Sequence, residues 1–104
     1  MSKNIAIWSK DTIEYKRLEL LKSLLNVIIV QEKLPLFLTV ENTYFDYGQD
    51  WTWTTIIGYK NGGHDSYQLL YTSNHEKVIW GDMYDILEVA QEIKNDWLKN
   101  IKED

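Results

Sequence analysis

The sequence lacks cysteine altogether, which excludes disulfide bridges, thiolate metal sites and a cysteine nucleophile. A chain without disulfides is typical of proteins that work inside the cell, so we expect a cytoplasmic location. The single proline and the five glycines form no linker or low-complexity segment that would divide the 104 residues. We therefore predict one domain that spans residues 1–104.

Long apolar runs are also absent. The longest, such as Val27 to Val30, are far shorter than the roughly 20 residues that a helix needs to cross a bilayer. The N-terminal residues lack the apolar segment of a secretory signal peptide. We expect no membrane partner.

Sequence motifs for common chemistries are missing. There is no nucleophile elbow, phosphate-binding glycine loop, dinucleotide fingerprint, zinc-protease motif or EF-hand. The two histidines, His64 and His75, fall at predicted turns at opposite ends of a strand, and neither has a third ligand at metal spacing. We therefore interpret both as surface turn residues, predict no catalytic residue, cofactor or metal, and expect that the protein is not an enzyme.

Basic side chains are scarce in the centre of a chain whose net charge is −5. Between residues 34 and 74 the only lysine or arginine is Lys60, against the acids Glu41, Asp46, Asp50 and Asp65. Because such a region repels a phosphate backbone, we expect no direct binding of nucleic acid. A basic protein surface would be attracted.

Helical periodicity predicts two amphipathic helices. The first begins after Ser9 or Asp11 as N-cap and extends to about Gln31, although the β-branched run from Val27 to Val30 could also form a strand. Its apolar side carries Leu18, Leu21, Leu24, Leu25, Ile28 and Ile29. The second begins at Asp82 as N-cap, and its apolar side carries Ile86, Ala90, Ile93, Trp97 and Ile101.

Alternation of apolar and polar residues predicts strands between Leu36 and Trp80. A four-residue loop, Tyr47 to Asp50, would join the first two strands, and we favour a three-residue turn, Asn61-Gly62-Gly63, over a two-residue turn before the third. These registers predict one apolar sheet face with the members Leu36, Leu38, Val40, Tyr44, Trp51, Trp53, Ile57, Tyr59, Tyr67, Leu69 and Tyr71. The predicted fold is an α+β two-layer sandwich, an antiparallel sheet of three to four strands with the N-terminal and C-terminal helices packed on one face.

The opposite sheet face is predicted to be rich in threonine and poor in charge. Its candidate contact residues are Phe37, Thr39, Glu41, Phe45, Thr52, Thr54, Ile56 and Leu70. A soluble sheet face that lacks charge is a candidate interface for a protein or for a second copy of the chain. The alternative is that threonine simply suits an exposed strand.

Two further groups are candidate contact residues. The loop between the first two strands offers aromatic and acidic side chains, Phe45, Asp46, Tyr47 and Asp50. The last helix carries an acidic stripe, Asp85, Glu88, Glu92 and Asp96, which would engage a basic protein surface or would simply be a solvated helix face.

These features predict a small acidic protein-binding module, of the inhibitor or immunity type found in phage and mobile elements, that occupies a basic surface of a partner protein. One alternative is a ligand-binding or catalytic pocket between the helices and the aromatic sheet face, lined by Trp53, Tyr59, Tyr67 and Tyr71. Another alternative is a structural homodimer formed through the threonine-rich face.

Overall fold

The computed structural model describes residues 4–46, 50–63 and 65–101 and confirms the α+β class. The helices and strands follow one another as β1 (Asn4–Ala6), α1 (Ile13–Glu32), β2 (Leu36–Asp46), β3 (Asp50–Lys60), β4 (Ser66–Gln68), α2 (Thr72–Trp80) and α3 (Met83–Asn100). Residues of all three helices pack with the sheet in one core. No helix in the described ranges is long and apolar enough to cross a membrane.

The sheet is built around β3. On one side β2 pairs with β3 in antiparallel orientation along its whole length. The other side is shared, since β1 runs parallel beside Trp51 to Trp53 and β4 runs antiparallel beside Ile57 to Tyr59. The sheet therefore has four strands, within the predicted three to four, but it is mixed and not strictly antiparallel, because β1, which was not predicted, runs parallel to β3. Residues 54–56 of β3 face a gap between β1 and β4.

Helix α1 confirms the helical interpretation of the run from Val27 to Val30. Its N-cap is Thr12, not Ser9 or Asp11, because the Thr12 hydroxyl accepts a hydrogen bond from the Tyr15 backbone N–H. The helix ends at Lys33, which takes the left-handed backbone conformation that closes many helices.

Helix α3 begins as predicted, with Asp82 as its N-cap. The Asp82 carboxylate accepts from the Asp85 N–H, and the Asp85 carboxylate accepts from the Asp82 N–H, each at 3.0 Å. This reciprocal capping box satisfies two backbone donors that a helix start leaves unpaired. The predicted apolar residues Ile86, Ala90, Ile93 and Trp97 are buried in the core, and Ile101 packs against it.

Helix α2 was not predicted from the sequence. It follows β4, which has only three residues, and its N-cap, Tyr71, supplies no side-chain hydrogen bond. The helix is held by tertiary contacts instead: Arg17 of α1 donates from Nε to the Val78 carbonyl at 2.7 Å and from Nη2 to the Gly81 carbonyl. These two bonds fix the corner where α2 meets α3.

The registers of both hairpins differ from the predicted ones. Val40 lies opposite Ile56, so three residues, not four, separate β2 from β3. Ile57 lies opposite Gln68, so the predicted three-residue turn before β4 is also wrong. A shift of one residue exchanges the two sides of a strand.

The helix side of the sheet consequently carries Leu36, Leu38 and Ile56, which pack with the helices. The outer side carries several residues that were predicted to face the helices, namely Trp51, Trp53, Ile57 and Tyr59. The predicted core positions of Tyr44 and Tyr71 are wrong as well, since both side chains are exposed. Tyr67 does face the helix side, where its ring covers Gly58.

Candidate functional site

The outer side of the sheet holds the candidate residues Phe37, Thr39 and Glu41. The Glu41 carboxylate accepts a hydrogen bond from the Tyr59 hydroxyl at 2.5 Å and another from the Thr39 hydroxyl. The hydrogen bond to Glu41 raises the pKa of Tyr59. The Phe37 ring stacks on Tyr59 with centroids 5.1 Å apart. Glu41 is therefore satisfied within the chain.

The side chains of this network, Phe37, Thr39, Glu41 and Tyr59, cover much of the outer side of the sheet. Thr55 and Ile57, which lie opposite Glu41 and Thr39, are buried. Phe37 is the large apolar side chain that the network leaves exposed. The outer side is consequently less open to a partner than the sequence predicted.

Four other candidates of this face lie elsewhere. The prediction that Thr54, Ile56 and Leu70 face outward is wrong, because all three are fully buried and the register puts Ile56 and Thr54 on the helix side. The Thr54 hydroxyl donates to Asn42 Oδ1 at 2.5 Å and accepts from the Trp8 N–H at 3.0 Å. Thr52 is half-buried and lies opposite Tyr44, so its placement on the outer face is wrong too.

The candidate loop between β2 and β3 is only partly covered by the structure. Tyr47 lies outside the described residues. Asp46, the last residue of β2, pairs with Asp50, the first residue of β3, and Phe45 lies opposite Trp51. The side chains of Phe45, Asp46 and Asp50 are also outside the description.

The acidic stripe on α3 divides into residues with different surroundings. Asp85 belongs to the capping box. Glu88 forms an ion pair with Lys77 of α2, at 3.0 Å between Nζ and Oε1. The hydrogen bond to Glu88, with the charges of Glu88, Glu92 and Asp85, raises the pKa of Lys77. Glu92 and Asp96 are exposed at the edge of a cleft.

The corner between α2 and α3 exposes a group of large apolar side chains that sequence reasoning missed. We call it the corner patch: Trp80, Met83, Tyr84 and Leu87, whose exposed fractions are 65%, 51%, 80% and 47%. A helical wheel of α3 would have revealed it, because Met83, Tyr84 and Leu87 fall outside the arc of Ile86, Ala90, Ile93 and Trp97. The acidic stripe runs along α3 beside the patch.

The cleft lies between α3 and the segment that leads from β4 into α2, and its volume is about 440 Å³. It is lined by aromatic rings, Tyr67, Tyr71 and Trp97, and by Asn74, Glu92 and Asp96. Burial raises the pKa of Tyr67, a hydrogen bond with the Trp97 indole opposes the rise, and the charge of Asp96 adds to it. The predicted pocket residues Tyr67 and Tyr71 thus meet here, whereas Tyr59 and Trp53 lie elsewhere.

His75 occupies an aromatic site at the gap in the sheet edge. Its ring lies between Trp53 and Trp8, with centroid distances of 4.8 Å and 5.7 Å, and only 2% of the residue is exposed. Burial lowers the pKa of His75, while the hydrogen bond to Thr54 and the charge of Glu76 oppose that shift. The prediction of a surface turn residue is therefore wrong for His75; His64 lies outside the described residues.

The described residues contain no group of three or more histidine, aspartate or glutamate side chains placed to hold a metal ion. No family model, characterised protein or solved structure matches this chain. The surfaces of the fold remain as indications of function, and the most distinctive of those described are the corner patch with its acidic stripe and the cleft beside α3.

Proposed function

We propose that this protein is a protein-binding module and that its contact surface is the corner patch together with Glu88, Glu92 and Asp96 of the acidic stripe. The observation that carries the proposal is the exposure of four large apolar side chains at one corner of the fold. Contiguous apolar surface on a small domain is typical of interaction sites. Trp, Tyr and Met are moreover enriched at interfaces and often supply much of their binding energy.

The charges beside the patch favour a basic partner. The chain carries a net charge of −5, and Glu92 and Asp96 are exposed without a basic side chain lining their cleft in the described part of the chain. Acidic groups around an apolar centre would steer a basic protein surface to the patch and repel phosphate. The proposed role is that of a cytoplasmic inhibitor or immunity-type protein that occupies its partner's surface and performs no catalysis itself.

Hydrogen bonds within the chain order the corner between α2 and α3 in the absence of a partner. Arg17 bonds two carbonyls at the end of α2, and the Asp82–Asp85 capping box fixes the start of α3. A surface that is already ordered loses less conformational entropy on binding. Preorganisation therefore supports the corner as the contact site.

The outer sheet face gives less support to a homodimer. Its one charged candidate, Glu41, is bonded to Tyr59 and Thr39, and the apolar Ile57 is buried. Little apolar area remains there for a second copy to cover, so we propose a different protein as the partner.

The test is quantitative capture from a lysate of the cells that produce the protein. Immobilised wild-type chain is compared with the double variant Tyr84→Ala/Leu87→Ala and with the control Val30→Ala, which removes an apolar side chain that is 76% exposed on α1. We expect the wild type and the control to retain the same basic protein and the double variant to lose it. Equal capture by all three would overturn the proposal, as would a homodimer detected by light scattering that the double variant leaves intact.

A further inference from the structure

Two acidic side chains of the cleft beside α3, Glu92 and Asp96, form no ion pair with a described residue. Asp96 does accept a hydrogen bond from Asn100 Nδ2 at 2.7 Å, and the charge of Glu92 acts on Lys77. Asp85 is bonded within its capping box and Glu88 is paired with Lys77. Glu92 and Asp96 stand one helical turn apart on the cleft wall, where side chains at this spacing are about 5 to 6 Å apart at their Cβ atoms. Two such carboxylates repel each other, and a cation placed between them would remove that repulsion.

The remaining walls of the cleft also suit a cation. Tyr71 contributes an exposed aromatic ring and Tyr67 a partly buried one, whereas Trp97 is buried behind the lining. The electron-rich face of an aromatic ring attracts a positive charge. Among the described residues that line the cleft there is no lysine, arginine or histidine. The aromatic walls and the two carboxylates therefore favour the same kind of ligand.

One buried acceptor in the lining needs a hydrogen-bond donor. Asn74 Oδ1 is shielded from solvent and has no hydrogen-bond partner. An acceptor left unpaired in this way carries a free-energy cost that a donor reaching it from the cleft would relieve. A ligand with several donors fits this lining, and an anion does not.

We propose that the cleft receives the guanidinium group of an arginine side chain from the protein partner, an inference that rests on the proposed function. Guanidinium combines a positive charge, a flat face that stacks on aromatic rings and several donors that pair with carboxylates. Lysine offers the charge without the flat face. The cleft, at about 440 Å³, is within the roughly 300 to 1,000 Å³ typical of sites that enclose a small ligand group.

The test titrates Nα-acetyl-arginine methylamide into the ¹⁵N-labelled full chain and follows the Trp97 indole N–H and the Asn74 backbone N–H by NMR. We expect saturable shifts at these two positions, with a dissociation constant of about 1 mM for this single side chain. The uncharged isostere Nα-acetyl-citrulline methylamide should cause none. Asp96→Asn should weaken binding about tenfold, whereas Glu19→Gln, which removes an exposed acid from α1, should leave it unchanged.

Three results would overturn the assignment. The first is the absence of saturable shifts in the wild type, and the second is an equal response to citrulline. The third is tighter binding of spermidine at the same positions, because the occupant would then be a free amine instead of an arginine side chain. If the chain shows no arginine response but captures its partner as expected, only the cleft assignment is contradicted. If the chain binds arginine but Tyr84→Ala/Leu87→Ala captures the partner as well as the wild type does, only the corner surface is contradicted.

Discussion

The Nε2 atom of His75 lies 2.8 Å from the carbonyl oxygen of Thr54 and donates a hydrogen bond to it. Thr54 lies on the stretch of β3 that neither β1 nor β4 pairs with. A buried carbonyl without a partner is costly, and here a side chain from α2 supplies the bond that a strand would otherwise make. His75 therefore joins α2 to the centre of the sheet.

This arrangement predicts that stability depends on the protonation of His75. Burial lowers its pKa below the ordinary value of 6.5, so the folded state binds this proton less readily than the unfolded chain does. The contribution to the free energy of unfolding is then complete above about pH 6.5 and is lost progressively as the pH falls below that value.

The measurement is urea unfolding of the wild type at about pH 7.5 and about pH 5.5. His75→Gln should show a smaller drop in the free energy of unfolding between these conditions. Ser73→Ala, which changes an exposed side chain of the same helix, should drop as much as the wild type. A full drop in His75→Gln would assign the pH dependence to other groups.

A glycine is required at position 58 because the ring of Tyr67 packs over it. A Cβ added at this position would lie 3.0 Å from Cζ of Tyr67, closer than van der Waals contact allows. We expect Gly58→Ala to lower the free energy of unfolding by about 1 to 3 kcal/mol. Gly63→Ala is the matched control, since its nearest neighbour would be 3.8 Å away, and it should change stability by less than about 0.5 kcal/mol. Equal effects of the two substitutions in urea unfolding would contradict this reading of the Gly58–Tyr67 contact.

Arg17 is predicted to hold the end of α2. Arg17→Met keeps the aliphatic stem but leaves the Val78 and Gly81 carbonyls without their donor, and we expect a loss of about 1 to 3 kcal/mol. Arg17→Lys should restore little, because one ammonium group replaces the guanidinium fork. The neighbouring Lys16→Met removes the same charge from an exposed position and should be nearly neutral in urea unfolding. Stability in Arg17→Met equal to that of Lys16→Met would show that the two bonds do not hold the corner.

The parts of the fold that the sequence predicts well are those specified by local signals. Helix α3 has a capping residue, Asp82, followed by a regular apolar arc that includes Ile86 and Trp97, and both features appear in the structure. Helix α1 is similarly regular, although the choice of Thr12 over two neighbouring caps depends on one hydrogen bond.

The parts that the sequence does not specify depend on long-range pairing. Both sides of β3 are apolar, with Trp53 and Ile57 on one and Ile56 on the other, so alternation alone does not identify the helix side. The predicted length of the loop between β2 and β3 determined which side of β3 was assigned to the helices, and that loop was predicted one residue too long. The second difficulty is α2, because the residues that hold it in place, Arg17 and Thr54, are distant from it in the sequence.

Only part of the candidate surface could be predicted, because the rest of it also depends on residues that are distant in the sequence. The acidic stripe on α3 could be located because helical spacing alone positions its members. The corner patch requires α2, since Trp80 is the last residue of that helix and Met83 is the first residue of α3. The cleft requires α2 as well, because Asn74 and Tyr71 form part of its wall.

The most direct test of the corner surface is the affinity of the captured partner, purified and titrated against the wild type, Tyr84→Ala and Tyr44→Ala. Tyr44 is an exposed aromatic residue on the β2–β3 hairpin, close to the loop that the sequence suggested as an anchor. We predict that Tyr84→Ala weakens binding about 30-fold, as expected for an interface hot spot of ~2 kcal/mol, and that Tyr44→Ala binds like the wild type. The reverse pattern, with loss in Tyr44→Ala and none in Tyr84→Ala, would place the contact on the hairpin and contradict the account.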